Sequence, residues 1–146
     1  MKIKRILFPT DFSEGSAAAA EYVCDIAATH DATVYLMHVI YDVARDAGWY
    51  GTHINMSSFY DDMKATARTE MEKFHKAHLA GCRNVEKVLL VGKPYEDIIS
   101  FVEEAEIDLV VIGSHSKRGL TRLFGSTAHK VVRNVPCSVL TVKTKK

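Results

Sequence analysis

The chain has 146 residues, of which 47% are apolar and 25% charged, and nineteen basic against eighteen acidic side chains leave a net charge of +1. This is the composition of one ordinary globular domain, taken here as 1–146, and it excludes disorder, collagen-like repeats and coiled coil. The near balance of charge gives no ground for a nucleic-acid or membrane-surface partner, and apolar runs of only strand length leave no segment able to span a bilayer.

Strand-like and helix-like segments alternate from one end to the other. Ile6-Leu7-Phe8 is a short apolar strand closed by Pro9. This run is too brief for the apolar core of a signal peptide, so the expected compartment is the cytoplasm. Ser13 is placed to cap a helix whose inner face is Ala20, Val23, Ile26 and Ala27. Thr33 to Val39 is β-branched and aromatic, the mark of a second strand. Residues 41 to 56 show no period and read as a long loop. A helix from about Ser58 to Ala80 carries an apolar stripe of Met63, Ala67, Met71, Phe74 and His78, and Gly81 stops it.

Val85 to Val91 is a third strand. Gly92-Lys93-Pro94 then turns the chain into a helix that buries Ile98, Val102 and Ala105. Asp108 to Ile112 reads as a strand buried on both faces. Ala128, Val131, Val132 and Val135 mark a last helix, ended by Asn134 and Pro136, and Ser138 to Lys143 is the fifth strand. Five strands alternating with four helices imply βαβ units, right-handed crossovers and a doubly wound α/β fold around one parallel sheet.

Such sheets bind ligands beyond the carboxyl ends of their strands. The loops there are Pro9 to Ser13, His38 to Tyr41, Gly92 to Pro94 and Gly113 to Gly125. The last gathers Gly113, Gly119 and Gly125 with Lys117, Arg118 and Arg122, and Ser126 and Thr127 follow it at a helix start. Glycines admit an anion close to backbone N–H groups, a helix N-terminus attracts it, and cations neutralise it. Composition alone leaves two readings open, a phosphate cradle or a solvated surface loop with an ordinary Ser cap. Gly92-Lys93 runs into proline and no GxGxxG occurs, which disfavours a Walker A kinase or a typical dehydrogenase. A response regulator needs an acceptor aspartate at the end of the third strand, where this chain has Leu90-Val91-Gly92.

Three further groups have bland readings beside sharper ones. His75 and His78 stand three apart on a helix, a metal-chelating spacing, but nothing nearby completes a set and surface histidines are the better account. Tyr41, Trp49 and Tyr50 line a pocket, meet a partner or pack over their own loop. Cys24, Cys82 and Cys137 are odd in number, lack a CxxC pair and read as small half-buried hydrophobes rather than a disulfide framework.

Pro9-Thr10-Asp11-Phe12-Ser13, the run VGKPYEDII, the run DLVVIGSHS and the run FGSTAHKVVRNVPCSVLTV occur in this order. Together they resemble the universal stress protein family over essentially the whole chain. That resemblance implies a flavodoxin-like Rossmann variant with strand order 3-2-1-4-5, a homodimer through the C-terminal strand, and, in one branch, ATP binding through a G-x-x-G loop followed by G-[S/T]. Carried across, Pro9, Thr10 and Asp11 lie against adenosine and Val39 meets adenine through its backbone. Gly113 opens the phosphate loop, His115 and Ser116 lie within it, and Gly125, Ser126 and Thr127 cradle the phosphates of ATP, ADP or AMP, with or without Mg2+.

The loop departs from the pattern at two points. Ser116 stands at the second glycine, and eight residues rather than nine separate it from Gly125. A left-handed serine costs on the order of 1–2 kcal/mol, and one missing residue shortens the reach by roughly 3.5 Å. The expected function is an adenine-nucleotide-binding regulator of the stress response. The alternatives are a nucleotide-free dimeric interaction module or a slow ATPase in which His115 serves as acid or base.

Overall fold

A computed structural model describes residues 1–48, 56–114 and 126–144. Along the chain it forms β1 (Arg5–Pro9), α1 (Glu14–His30), β2 (Thr33–Tyr41), α2 (Val43–Asp46), α3 (Ser57–His78), β3 (Val85–Gly92), α4 (Pro94–Glu104), β4 (Leu109–Gly113), α5 (Ser126–Asn134) and β5 (Ser138–Val142). The five strands make one parallel sheet in the order β3-β2-β1-β4-β5. The chain therefore winds outward from β1 in one direction, then returns to the centre and winds the other way.

The pleat sends alternate residues to opposite faces, and each face has its own core. Ile6, Phe8, Val34, Leu36 and Val111 pack with Ala19, Val23 and Ala27 of α1 and with Met71 and Phe74 of α3. Leu7, Met37, Val110 and Ile112 pack with Ile98 and Val102 of α4 and with Ala128 and Val131 of α5. The alanine-rich inner face of α1 lets that helix lie close to the central strands. Ser13 caps α1 as its position implies, its Oγ accepting from the Ser16 N–H at 3.3 Å.

Four expectations need correction. His38 to Tyr41 is strand rather than loop, because β3 pairs along its full length as far as Tyr41 opposite Gly92. The stretch read as a long loop begins with the one-turn helix α2. Asp42 caps it, accepting from the Arg45 N–H at 3.1 Å and from the Tyr60 hydroxyl at 2.7 Å. One turn is too short to show a period. The stripe of α3 is narrower than its spacing suggests, since Met63 and His78 are exposed, although the His78 ring lies 4.9 Å from that of Phe74. Val132 of α5 is likewise exposed. Trp49 and Tyr50 fall outside the described residues.

Phe74 ties α3 to the sheet. Its ring sits 5.9 Å from both Phe8 and Phe12 and is almost wholly buried. Truncation leaves a cavity between two layers that cannot both close on it. Phe74→Ala is expected to lower the unfolding free energy by about 3 kcal/mol, read as a reduced urea midpoint at unchanged slope. A loss below about 1 kcal/mol, the scale of a well-tolerated hydrophobic swap, would contradict this packing.

Candidate functional site

Because β1 and β4 are neighbours whose connections leave on opposite faces, their carboxyl ends part and leave a crevice. The crevice has an empty volume of about 670 Å³ with its open mouth included.

Its first wall is the turn from β1 into α1. The Thr10 N–H donates to the Met37 carbonyl at 2.8 Å, and His38 Nδ1 donates to the Thr10 carbonyl at 2.8 Å. Thr10 Oγ1 in turn accepts from the Phe12 N–H at 3.0 Å. Asp11 Oδ1 accepts from the Ser13 N–H and from the Ser16 hydroxyl, each at 3.0 Å. These bonds hold Phe12 at φ 63°, a left-handed conformation that costs a phenylalanine on the order of 1–2 kcal/mol. Ring contacts offset that cost, since Phe12 stacks 4.6 Å from His38 and meets Phe74 edge-on. The turn is thus fixed before any ligand arrives.

The second wall is the end of β4. The Ser114 N–H donates to the Val142 carbonyl at 2.9 Å, which ties the strand end to β5. At Gly113 a Cβ would stand 2.8 Å from both the carbonyl carbon and the oxygen of Gly15. That is backbone against backbone, with no flexible side chain to give way. Between the walls Met37, Ile98 and Ile112 supply an apolar floor, and Val39 and Pro94 border it. Ser126 and Thr127 close the far side as the first residues of α5, where the helix presents its positive end.

Of the residues singled out from sequence, Pro9, Thr10, Asp11, Val39, Gly113, Ser126 and Thr127 all line this one crevice. His115, Ser116 and Gly125 lie outside the described residues, as do Lys117, Arg118, Gly119 and Arg122. Sequence reasoning missed Ser16 and the apolar floor. Ser16, three residues after the cap, had a detectable signal; Met37, Ile98 and Ile112 looked like ordinary core positions until the strand order was known.

A second, polar cleft is bordered by Asp42, Arg45, Gly92, Lys93 and Glu96. Beside it a Cβ on Gly92 would collide with Asp97 Oδ2, an oxygen with no hydrogen-bond partner among the described residues. Burial, then the nearby Glu96 charge, holds the Asp97 carboxyl above its ordinary range.

Fold and crevice together define a doubly wound α/β protein with an open crevice at its topological switch point. The universal stress protein family profile matches residues 2–143, and the chain belongs to that family. It is 33% identical over 144 residues to universal stress protein MJ0531 of Methanocaldococcus jannaschii, covering 98% of this chain and 84% of the relative. To universal stress protein MJ0577 of the same organism it is 31% identical, covering 97% of this chain and 96% of the relative. The solved structure of MJ0577 superposes with a TM-score of 0.86 at 28% identity, over 100% of this chain and 99% of that one. A universal stress protein from Archaeoglobus fulgidus, solved in complex with dAMP, shares the fold at a TM-score of 0.66 and 21% identity, over 98% of this chain and 100% of that one.

Gly113→Ala is expected to destabilise by about 1–3 kcal/mol through overpacking, read as a lowered melting temperature. Gly81→Ala is the control, since a Cβ there meets nothing within 4 Å. Equal melting temperatures for the two variants would contradict the close approach at Gly113.

Proposed function

We propose that the crevice binds an adenine nucleotide and that the protein is a nucleotide-responsive regulator of the stress response, working in the cytoplasm as a homodimer. The observation that carries the reading is the convergence of three chemistries on one preformed cleft. An apolar floor of Met37, Ile98 and Ile112 suits the faces of a purine. The fixed Pro9-Thr10-Asp11 turn offers an acceptor for ribose hydroxyls. Ser126 and Thr127 at the start of α5 offer hydroxyls and a helix N-terminus to phosphate.

Gly113 lines the same crevice, and its missing Cβ lets the first turn of α1 lie directly against the end of β4. The adenine nucleotide bound by the A. fulgidus structure, which shares this fold, supports the choice of ligand class. His115, Ser116 and Gly125 complete the phosphate side in this reading. ATP, ADP and AMP are all candidates, with Mg2+ accompanying the longer phosphate chains. Among the described residues no helix is long and apolar enough to cross a membrane.

Calorimetric titration with AMP and with ATP, each with and without magnesium, tests the site. Saturable binding is expected, and Thr127→Val should weaken it about tenfold by removing one hydroxyl from a charged acceptor. Heats equal to dilution at millimolar nucleotide would overturn the reading.

The dimer is proposed through β5. In the observed order β5 is an edge strand with only β4 beside it, and its run Val139-Leu140-Thr141-Val142 has apolar residues on both faces. Such an edge is a ready template for pairing with a second copy. The native chain should scatter light as a dimer and Leu140→Lys as a monomer. A monomeric native mass at tens of micromolar would remove the dimer from the account.

A further inference from the structure

Cys24 and Cys82 are 58 positions apart, yet their Sγ atoms lie 2.8 Å from each other. Cys24 sits mid-way along α1, and Cys82 in the turn between α3 and β3. The turn is held in place, for the Cys82 N–H donates to the carbonyl of fully buried Leu79 at 3.0 Å. Both thiols are free and half-buried, and both pack against the core on the α1 and α3 side of the sheet. Cys137, also free, packs against the core on the opposite side, so the sheet separates it from the pair. A sulfur–sulfur bond requires only about 0.8 Å of further approach, to the usual length near 2.05 Å.

We propose that Cys24 and Cys82 form a reversible intramolecular disulfide when the protein meets a peroxide. Burial, then the hydrogen bond to Cys24, pushes the Cys82 thiol up to about 12, so it keeps its proton at neutral pH. In the proposed sequence Cys24 reacts first and Cys82 resolves. Its thiolate sulfur attacks one peroxide oxygen, the O–O bond breaks, and the departing oxygen takes up a proton, leaving Cys24 as a sulfenic acid. The Cys82 sulfur then attacks the Cys24 sulfur. As the S–O bond breaks, the hydroxyl leaves as water with the Cys82 proton. Two thiols and one hydrogen peroxide thus become one disulfide and two waters, with the sulfurs oxidised by two electrons and the peroxide reduced by two.

A raised Cys82 thiol is a slow nucleophile, but one already in contact with its target has a very high effective concentration. A dithiol reductant reverses the change. The bond clamps α1, whose N-terminal turn forms one wall of the crevice, to the turn that leads into β3. Closing a loop of this length restricts the unfolded chain and should raise the melting temperature by roughly 5–10 °C.

The test uses the full reduced chain exposed to hydrogen peroxide, followed by unreduced intact mass and peptide mapping. The expected result is loss of two hydrogen atoms, a link between the peptides carrying Cys24 and Cys82, and a higher melting temperature that dithiothreitol reverses. Cys137→Ser should behave like the native chain, while Cys24→Ser and Cys82→Ser should show neither link nor thermal gain. Four results would overturn the proposal: an unchanged mass, sulfinic or sulfonic acid at Cys24 without a link, a link through Cys137, or a covalent dimer.

Discussion

The backbone of α1 lies against the end of β4 so closely that residue 113 has no room for a side chain. Much of the crevice follows from that one contact. It sets how far the first turn of α1 stands from β4 and therefore how wide the cleft opens. The alanine-rich inner face of α1 allows the approach on one side, and the strand order β1-β4 requires it on the other. A bulkier helix would stand further off, and the turn at Pro9 to Ser13 would no longer face Ser126 and Thr127 across the same narrow crevice.

Rigidity is the second requirement. Thr10 and Asp11 bear the polar groups of the turn, and nearly every bond around them serves to fix its backbone. Phe12 is kept left-handed at a cost that His38 and Phe74 offset by stacking. Strain held by surrounding packing is common where a chain is preorganised for binding. The same aromatic group joins the α3 core to the site, so the stability of that layer and the shape of the turn are physically linked.

The alternation of strands and helices was legible because buried parallel strands and amphipathic helices carry strong periodic signals. Pro94 and Ser13 marked helix starts for local reasons that tertiary structure did not override. Exposure was harder to read: His78 and Val132 continue apolar stripes in sequence, yet the neighbours that would cover them are absent from the described structure. The polar half of the crevice was visible because its residues cluster at strand ends. Its floor was not, since Met37 and Ile112 come together only once β2 and β4 flank β1, and Ile98 joins them only when α4 covers that face. The thiol pair was hidden for the same reason, as separation along the chain says nothing about two segments packed on one face of a sheet.

The central claim is that these crevice residues form a nucleotide site, and amide chemical-shift mapping of the isotope-labelled protein during titration with AMP tests it most directly. The account predicts saturable shifts concentrated at Thr10, Asp11, Val39, Gly113, Ser126 and Thr127, with the amides of β5 and the outer face of α3 unmoved. Saturable shifts centred anywhere else, or no shifts at millimolar AMP, would contradict it.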